Sequence, residues 1–293
     1  MPRHRTWLVS SLGLACLPAG GGAQVNRHLI AVADTIGSFQ FVDSLGLVDQ
    51  PITVWYYRPS RHRADTRIVF VMHGGSRTAE AARDIGAAYG RRHHLIVLAP
   101  EFSERNYPGD AYAFGNMTDY HGHLLPETRW ALSAIEHLFD QVRQAEGLTT
   151  TTYDIVGHSA GGQFVHRLVL FLPNARFRRA VASSPGRYAV PLLTARFPYG
   201  LHGTAVDSRV LRRAFSRDFV LLLGDRDTED RAREPEAMSQ GQNRFARGLR
   251  FFAVATEVAN ALVTPLGWHL VIVPGADHTP GPMVQAGLQE LLR

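Results

Sequence analysis

The sequence contains no lysine: all 31 basic residues are arginine, set against 26 acidic ones. The arginines come in ones and twos (Arg61, Arg63, Arg91, Arg92, Arg178, Arg179, Arg212, Arg213) without aromatic interleaving. A formal charge of +5 therefore forms no patch or motif for a nucleic acid or an acidic surface. Cysteine occurs once, at Cys16, which excludes a disulfide framework within the chain. No apolar run approaches the roughly 18 residues that a membrane-spanning helix needs, so no integral span is expected. His93-His94 and His121-Gly122-His123 lack cysteine or carboxylate partners at metal-ligand spacing, and they read as loop and surface residues. Repeats, low-complexity tracts and interdomain linkers are also missing. What is present is ordinary globular composition, 45% hydrophobic and 19% charged over 293 residues, enough to bury the core of one large α/β domain.

The first 23 residues read as an address. Arg3 and Arg5 precede the apolar stretch Trp7–Leu17, followed by Pro18 and the small residues Ala19–Ala23. That order matches an export signal, so the protein is expected to be periplasmic or secreted, with the folded domain starting at Gln24. Leu14-Ala15-Cys16 resembles the end of a lipoprotein box, although Gly13 stands where a large apolar residue is usual.

Beyond it, strand-like and helix-like patterns alternate. Ser38–Val42 and Ile52–Tyr57 read as an antiparallel pair. The short apolar runs that follow are Arg67–Met72, Leu95–Ala99, Tyr153–Val156, Arg179–Ala182, Phe219–Leu223 and Leu270–Val273. Amphipathic stretches lie between them, at Thr78–His93, Glu127–Glu146, Gly161–Leu172, Gln242–Val263 and Met283–Leu292. Continuous apolar strands separated by helices indicate a mostly parallel sheet with both faces covered. Residues 187–217 break this rhythm with Pro, Gly and aromatics, as a lid-like insertion over a site does.

Functional groups in such a sheet gather at the carboxyl ends of the strands. Gly157-His158-Ser159-Ala160-Gly161 follows the run Tyr153–Val156 and opens the next helix, which is G-x-S-x-G in the strand–turn–helix setting it requires. Glycines at 157 and 161 remove side chains that would collide in so sharp a turn. Ser159 is thereby lifted to a helix N-terminus that favours developing negative charge. A serine hydroxyl needs a base, and the base needs a group to orient it, so an acid and then a histidine should each follow a later strand. Phe219–Leu223 runs into Gly224-Asp225-Arg226-Asp227, and Leu270–Val273 into Pro274-Gly275-Ala276-Asp277-His278. His278 is the base. Asp227 is the preferred acid for its reach over the sheet edge, ahead of Asp225 and then Asp230. Asp277 reads as a turn residue, and His158 and His166 as packing groups beside the elbow. Val71-Met72 leads into His73-Gly74-Gly75-Ser76, where the Gly75 N–H, or Ser76 one residue on, would join the Ala160 N–H in holding an oxyanion.

Taken together, Gly157-His158-Ser159-Ala160-Gly161-Gly162, His73-Gly74-Gly75, Gly224-x-x-Asp227 and Gly275-x-x-His278 resemble the α/β-hydrolase superfamily. Within it they are similar to bacterial esterases of the polyhydroxybutyrate depolymerase-like and feruloyl-esterase-like type. The resemblance covers Ile52 to Arg293. It implies an α/β-hydrolase fold and an acyl-serine mechanism without a cofactor, acting on a small-molecule carboxylic ester of a small or medium acyl group, with aromatic and hydroxyalkanoate acids as candidates. Ser76 departs from the third glycine of many lipases. The lack of an extra polymer-binding domain and of cysteines argues against a solid polyester as substrate. Tyr112 and Phe114 in the 109–120 loop, and Tyr188 in the insertion, are candidates to line a pocket for an apolar or aromatic acid, or else simply to pack the edges. A serine peptidase or amidase on the same fold is the alternative activity. A non-catalytic binding protein would be expected to have lost a member of the Ser159–Asp227–His278 set.

Overall fold

The computed structural model describes residues 36–229, 232 and 234–293, so the expected leader with Cys16 and the third candidate acid Asp230 lie outside the described residues. Eight strands form one sheet: β1 Ile36–Phe41, β2 Ile52–Tyr57, β3 Ile68–Met72, β4 Ile96–Glu101, β5 Tyr153–His158, β6 Phe177–Ser183, β7 Phe219–Gly224 and β8 Trp268–Val273. Their spatial order is β1-β2-β4-β3-β5-β6-β7-β8. The first three in that order pair antiparallel, and every later neighbour pairs parallel. Among the described residues seven α-helices pack around the sheet: α1 Ala79–His93, α2 Ala131–Ala145, α3 Ala160–Phe171, α4 Ser208–Phe215, α5 Pro235–Gln240, α6 Arg244–Ala261 and α7 Pro280–Glu290. This is the mostly parallel, helix-covered sheet expected from the alternating pattern, and the α/β-hydrolase architecture that the resemblance implies.

Strand β3 shows why the central strands read as unbroken apolar runs. All five of its residues are buried. Successive side chains point to opposite faces of a sheet. Ile68, Phe70 and Met72 accordingly join a core with Leu132, Ile135 and Phe139 of α2 and Phe164 and Leu168 of α3. Val69 and Val71 join a second core with Ala79 and Ala82 of α1 and Met283, Val284 and Leu288 of α7. Parallel strands flanked by helices on both sides have no solvated face, and alternation disappears from the sequence.

Helices α4 and α5 escaped the periodicity reading because eight and six residues give too few turns for a pattern. Local chemistry marks them instead. Asp207 caps α4 by accepting from the Val210 N–H at 2.8 Å, and Pro235 opens α5. None of the helices among the described residues is long and apolar enough to cross a membrane.

The parallel run brings the carboxyl ends of β3, β5, β7 and β8 to one edge. The four loops that carry Gly75, Ser159, Asp227 and His278 therefore meet there, although the residues span two hundred positions of sequence.

Candidate active site

Strand β5 passes into α3 within one residue, and that residue is Ser159, at φ +58 and ψ −115. Such a backbone is strained for a side chain with a Cβ and persists only where its surroundings hold it. Here the Ser159 N–H donates to the Ser183 carbonyl at 2.9 Å, while the Gln163 N–H donates to the Ser159 carbonyl at 2.9 Å. The flanking glycines are sterically required. A Cβ on Gly157 would sit 2.3 Å from the Gly161 oxygen, and one on Gly161 would sit 2.4 Å from the Met72 oxygen.

His278, in the loop after β8, places Nε2 3.0 Å from Ser159 Oγ and Nδ1 2.7 Å from Asp227 Oδ2. With Asp227 ionised, Nδ1–H donates to the carboxylate and Nε2 is left to accept the serine proton. Asp227 is 2% exposed, and its other oxygen accepts from Arg244 Nη1 at 3.2 Å. Burial pushes this carboxyl up, but the bonds and charges of His278 and Arg244 outweigh it and hold it below the ordinary aspartate value. Asp225, the rival acid, instead accepts from the Gly275 N–H at 2.7 Å and so ties the β7 loop to the β8 loop. Asp277 accepts from the Thr279 N–H at 2.8 Å, a turn bond.

Two buried histidines brace this arrangement. His158 Nε2 lies 3.2 Å from the His278 carbonyl and Nδ1 3.2 Å from Ser183 Oγ. Burial, with repulsion from His278, lowers its pKa to about 4, so at neutral pH it carries one N–H, which donates to the His278 backbone while Nδ1 accepts from the Ser183 hydroxyl. His73 starts the loop after β3. Its Nδ1–H donates to the Gly74 carbonyl at 2.8 Å and its Nε2 accepts from the Phe102 N–H at 3.1 Å. Burial lowers this pKa also to about 4. Arg77 reinforces the loop, donating to the carbonyls of Phe102, Tyr107 and Gly109. His166, read as a packing group, donates to the Gly162 carbonyl at 3.1 Å and accepts from the Ala189 N–H at 3.0 Å.

A cavity of about 470 Å³ opens beside Ser159, lined by Gly75, Ala160, Tyr112, Gln163 and Gly186 together with six charged residues. These are Arg77, Arg187 and Arg244, and Glu104, Asp110 and Glu234. Arg187 bridges Asp110 and Glu234, and Arg77 pairs with Glu104 at 3.0 Å. Gly75 faces open space, with nothing within 4 Å of where a Cβ would stand. Ser76 is not among the lining residues, and its hydroxyl lies 3.1 Å from that of Thr78. Of the three aromatic candidates, Tyr112 lines the cavity and donates from its hydroxyl to the His73 carbonyl at 2.8 Å. Phe114 lies outside the lining, between the guanidinium groups of Arg167 at 4.5 Å and Arg187 at 5.2 Å. Tyr188 is wholly buried against Phe251, with ring centroids 4.7 Å apart, and is also outside the lining. Apart from Arg187 at its first position, residues 187–217 contribute nothing to this cavity. Its wall is charged as well as apolar, and Tyr112 is the aromatic ring among the described residues that line it. Sequence reading missed the arginines and Gln163, although Gln163 stands four residues after Ser159, the helical spacing that places it one turn above the nucleophile.

No family model matches the sequence, and no curated protein matches it. Solved structures do. Poly(aspartic acid) hydrolase-1 from Sphingomonas sp. KT-1 is 38% identical with a TM-score of 0.86, over 89% of this chain and 100% of that one. The poly(3-hydroxybutyrate) depolymerase LpqC from Bordetella parapertussis is 31% identical with a TM-score of 0.86, over 90% of this chain and 91% of that one. An S-formylglutathione hydrolase from Agrobacterium tumefaciens shares the fold at 18% identity, with a TM-score of 0.55 over 88% of this chain and 92% of that one. On this identity, coverage and fold, the chain belongs to the α/β-hydrolase superfamily, as a hydrolase of its esterase-like group.

Proposed function

We propose that this hydrolase cleaves carboxylic esters of small or medium acyl groups through an acyl-serine intermediate. The observation that carries the reading is the unbroken relay Ser159–His278–Asp227, with contacts of 3.0 and 2.7 Å. His278 Nε2 takes the Ser159 proton as Oγ attacks the ester carbonyl, and Asp227 stabilises the imidazolium that forms. The backbone N–H groups of Ala160 and Gly75 hold the oxyanion, each contributing roughly 2.7–4 kcal/mol to the transition state. His278 then gives its proton to the leaving alcohol. A water, deprotonated by His278, attacks the acyl-serine and releases the acid, regenerating the Ser159 hydroxyl. Ser159→Ala should reduce p-nitrophenyl-ester hydrolysis by on the order of 10⁶-fold without loss of the folded state. Unchanged turnover in that variant ends the proposal.

A second reading, amide hydrolysis by the same groups, has a specific observation in its favour. The 38% identical neighbour is a poly(aspartic acid) hydrolase, and the cavity of this chain has three arginines in its wall. The leaving group would then be an amine that takes its proton from His278. Matched ester and amide substrates of one acyl group, compared by kcat/KM, separate the two.

A further inference from the structure

His158 ends β5 and Ser183 ends β6, and the two strands pair these residues side by side. Both side chains are buried and polar. Their hydrogen bonds run in one direction. The His278 carbonyl can only accept, so His158 Nε2, 3.2 Å away, carries the proton, and the neutral ring is left with Nδ1 as an acceptor. The Ser183 hydroxyl, 3.2 Å from Nδ1, donates there and fixes the tautomer. The Ser183 carbonyl also accepts from the Ser159 N–H at 2.9 Å. One residue of β6 therefore holds the backbone of the nucleophile directly and the backbone of the base through a single imidazole.

The base depends on such a hold. His278 stands in the loop after β8, an edge strand of the sheet, and its side chain is 30% exposed. That loop is tied to β7 through Gly275 and Ala276, whereas His158 ties it to β5 at His278 itself. The two imidazoles also pack together, with ring centroids 4.7 Å apart. Proton transfer from Ser159 is sensitive to this placement, since a shift of about 1 Å can cost on the order of 10²-fold in rate. An apolar side chain at 158 would fill the same space without the cost of burying nitrogens; what the polar pair adds is direction. Neither residue lines the cavity beside Ser159, so the pair acts on the chemical step and not on binding.

We propose that His158 and Ser183 are positioning residues, a tether from β6 through β5 that sets the distance between Ser159 Oγ and His278 Nε2. The inference rests on the hydrolytic reading above. It concerns the shared proton-transfer step, so it holds for an ester or an amide alike.

Two readouts test it: kcat and KM for p-nitrophenyl butyrate, and the rate at which an alkyl fluorophosphonate labels Ser159, which does not depend on the class of substrate. His158→Met, of similar size but without a donor, should lower kcat and the labelling rate by roughly 10- to 100-fold, with KM within about twofold. His158→Gln, whose amide nitrogen can reach the His278 carbonyl, should recover most of that loss. Ser183→Ala frees the tautomer and should cost roughly 3- to 10-fold. Both changes break one chain, so His158→Met combined with Ser183→Ala should be no slower than His158→Met alone. A structural role would lower Tm in each variant without separating His158→Gln from His158→Met in kcat. An unchanged kcat in folded His158→Met, a His158→Gln as slow as His158→Met, or losses that multiply in the double variant each overturns the tether. If His158→Met does not fold, a wild-type kcat in Ser183→Ala overturns it. A wild type that neither takes up the fluorophosphonate nor hydrolyses the ester overturns the hydrolytic reading itself.

Discussion

The two sides of Ser159 are built on different terms. Toward β7 and β8 each polar group of the relay is matched within the protein. Asp227 accepts from His278 and Arg244, His278 reaches Ser159, and His158 donates to the His278 backbone. Toward the cavity the charges pair with one another around a rim, with Gln163 and Tyr112 between them. The first side is organised before any substrate arrives, which is what makes fixed dipoles effective in a transition state. On the proposed reading, the first side moves protons and the second chooses what is cleaved.

The strongest way to test the organised side is to remove its carboxylate. Asp227→Asn should lower kcat/KM by about 10⁴-fold, because the amide favours the wrong imidazole tautomer. Asp225→Asn, whose residue only ties two loops together, should change it by less than about threefold. A reversed order would transfer the role of orienting acid to Asp225. The next effect is on stability and comes from the buried histidines. The pKa values of His73 and His158 are lowered from 6.5 to about 4 in the folded chain. Between those values the unfolded chain binds more protons than the native one, so stability is full above pH 6.5 and is lost as pH falls toward 4. The loss is roughly 3 kcal/mol per histidine. A Tm that stays level from pH 7 to pH 4.5 would contradict it. The smallest effect contrasts two tyrosines. Tyr112→Phe removes the bond to the His73 carbonyl and should destabilise by about 1 kcal/mol, read as a fall in Tm. The Tyr188 hydroxyl is buried without a partner among the described residues, so Tyr188→Phe should leave Tm level or raise it. Equal losses in both would erase the distinction between a tyrosine that anchors the cavity wall and one that fills the core.

Much of the relay was legible because each member follows a strand in the order that a parallel sheet turns into proximity. Ser159 carries glycines at 157 and 161, and His278 stands five residues beyond β8. Asp227 could be preferred over Asp225 only by an argument about reach, and the hydrogen bonds separate them in the same direction. The cavity was far less legible. Arg77, Arg187 and Arg244 come from three distant stretches, and no spacing rule links them. The aromatics divide for a related reason. Loop residues 109–120 pack under the His73 turn, so Tyr112 reaches the wall, whereas Tyr188 next to Arg187 turns into the core against Phe251 and His166. An aromatic ring looks the same in sequence whether its neighbour is substrate or protein.

By itself, the sequence determined the sheet, the sharp turn at Ser159 and the residues capable of proton transfer. Those depend on local sterics, on periodicity and on chain order, all of which are written in neighbouring letters. Only the tertiary structure decided that the pocket wall is charged and which aromatic rings reach it. Both depend on which distant side chains come to share a boundary.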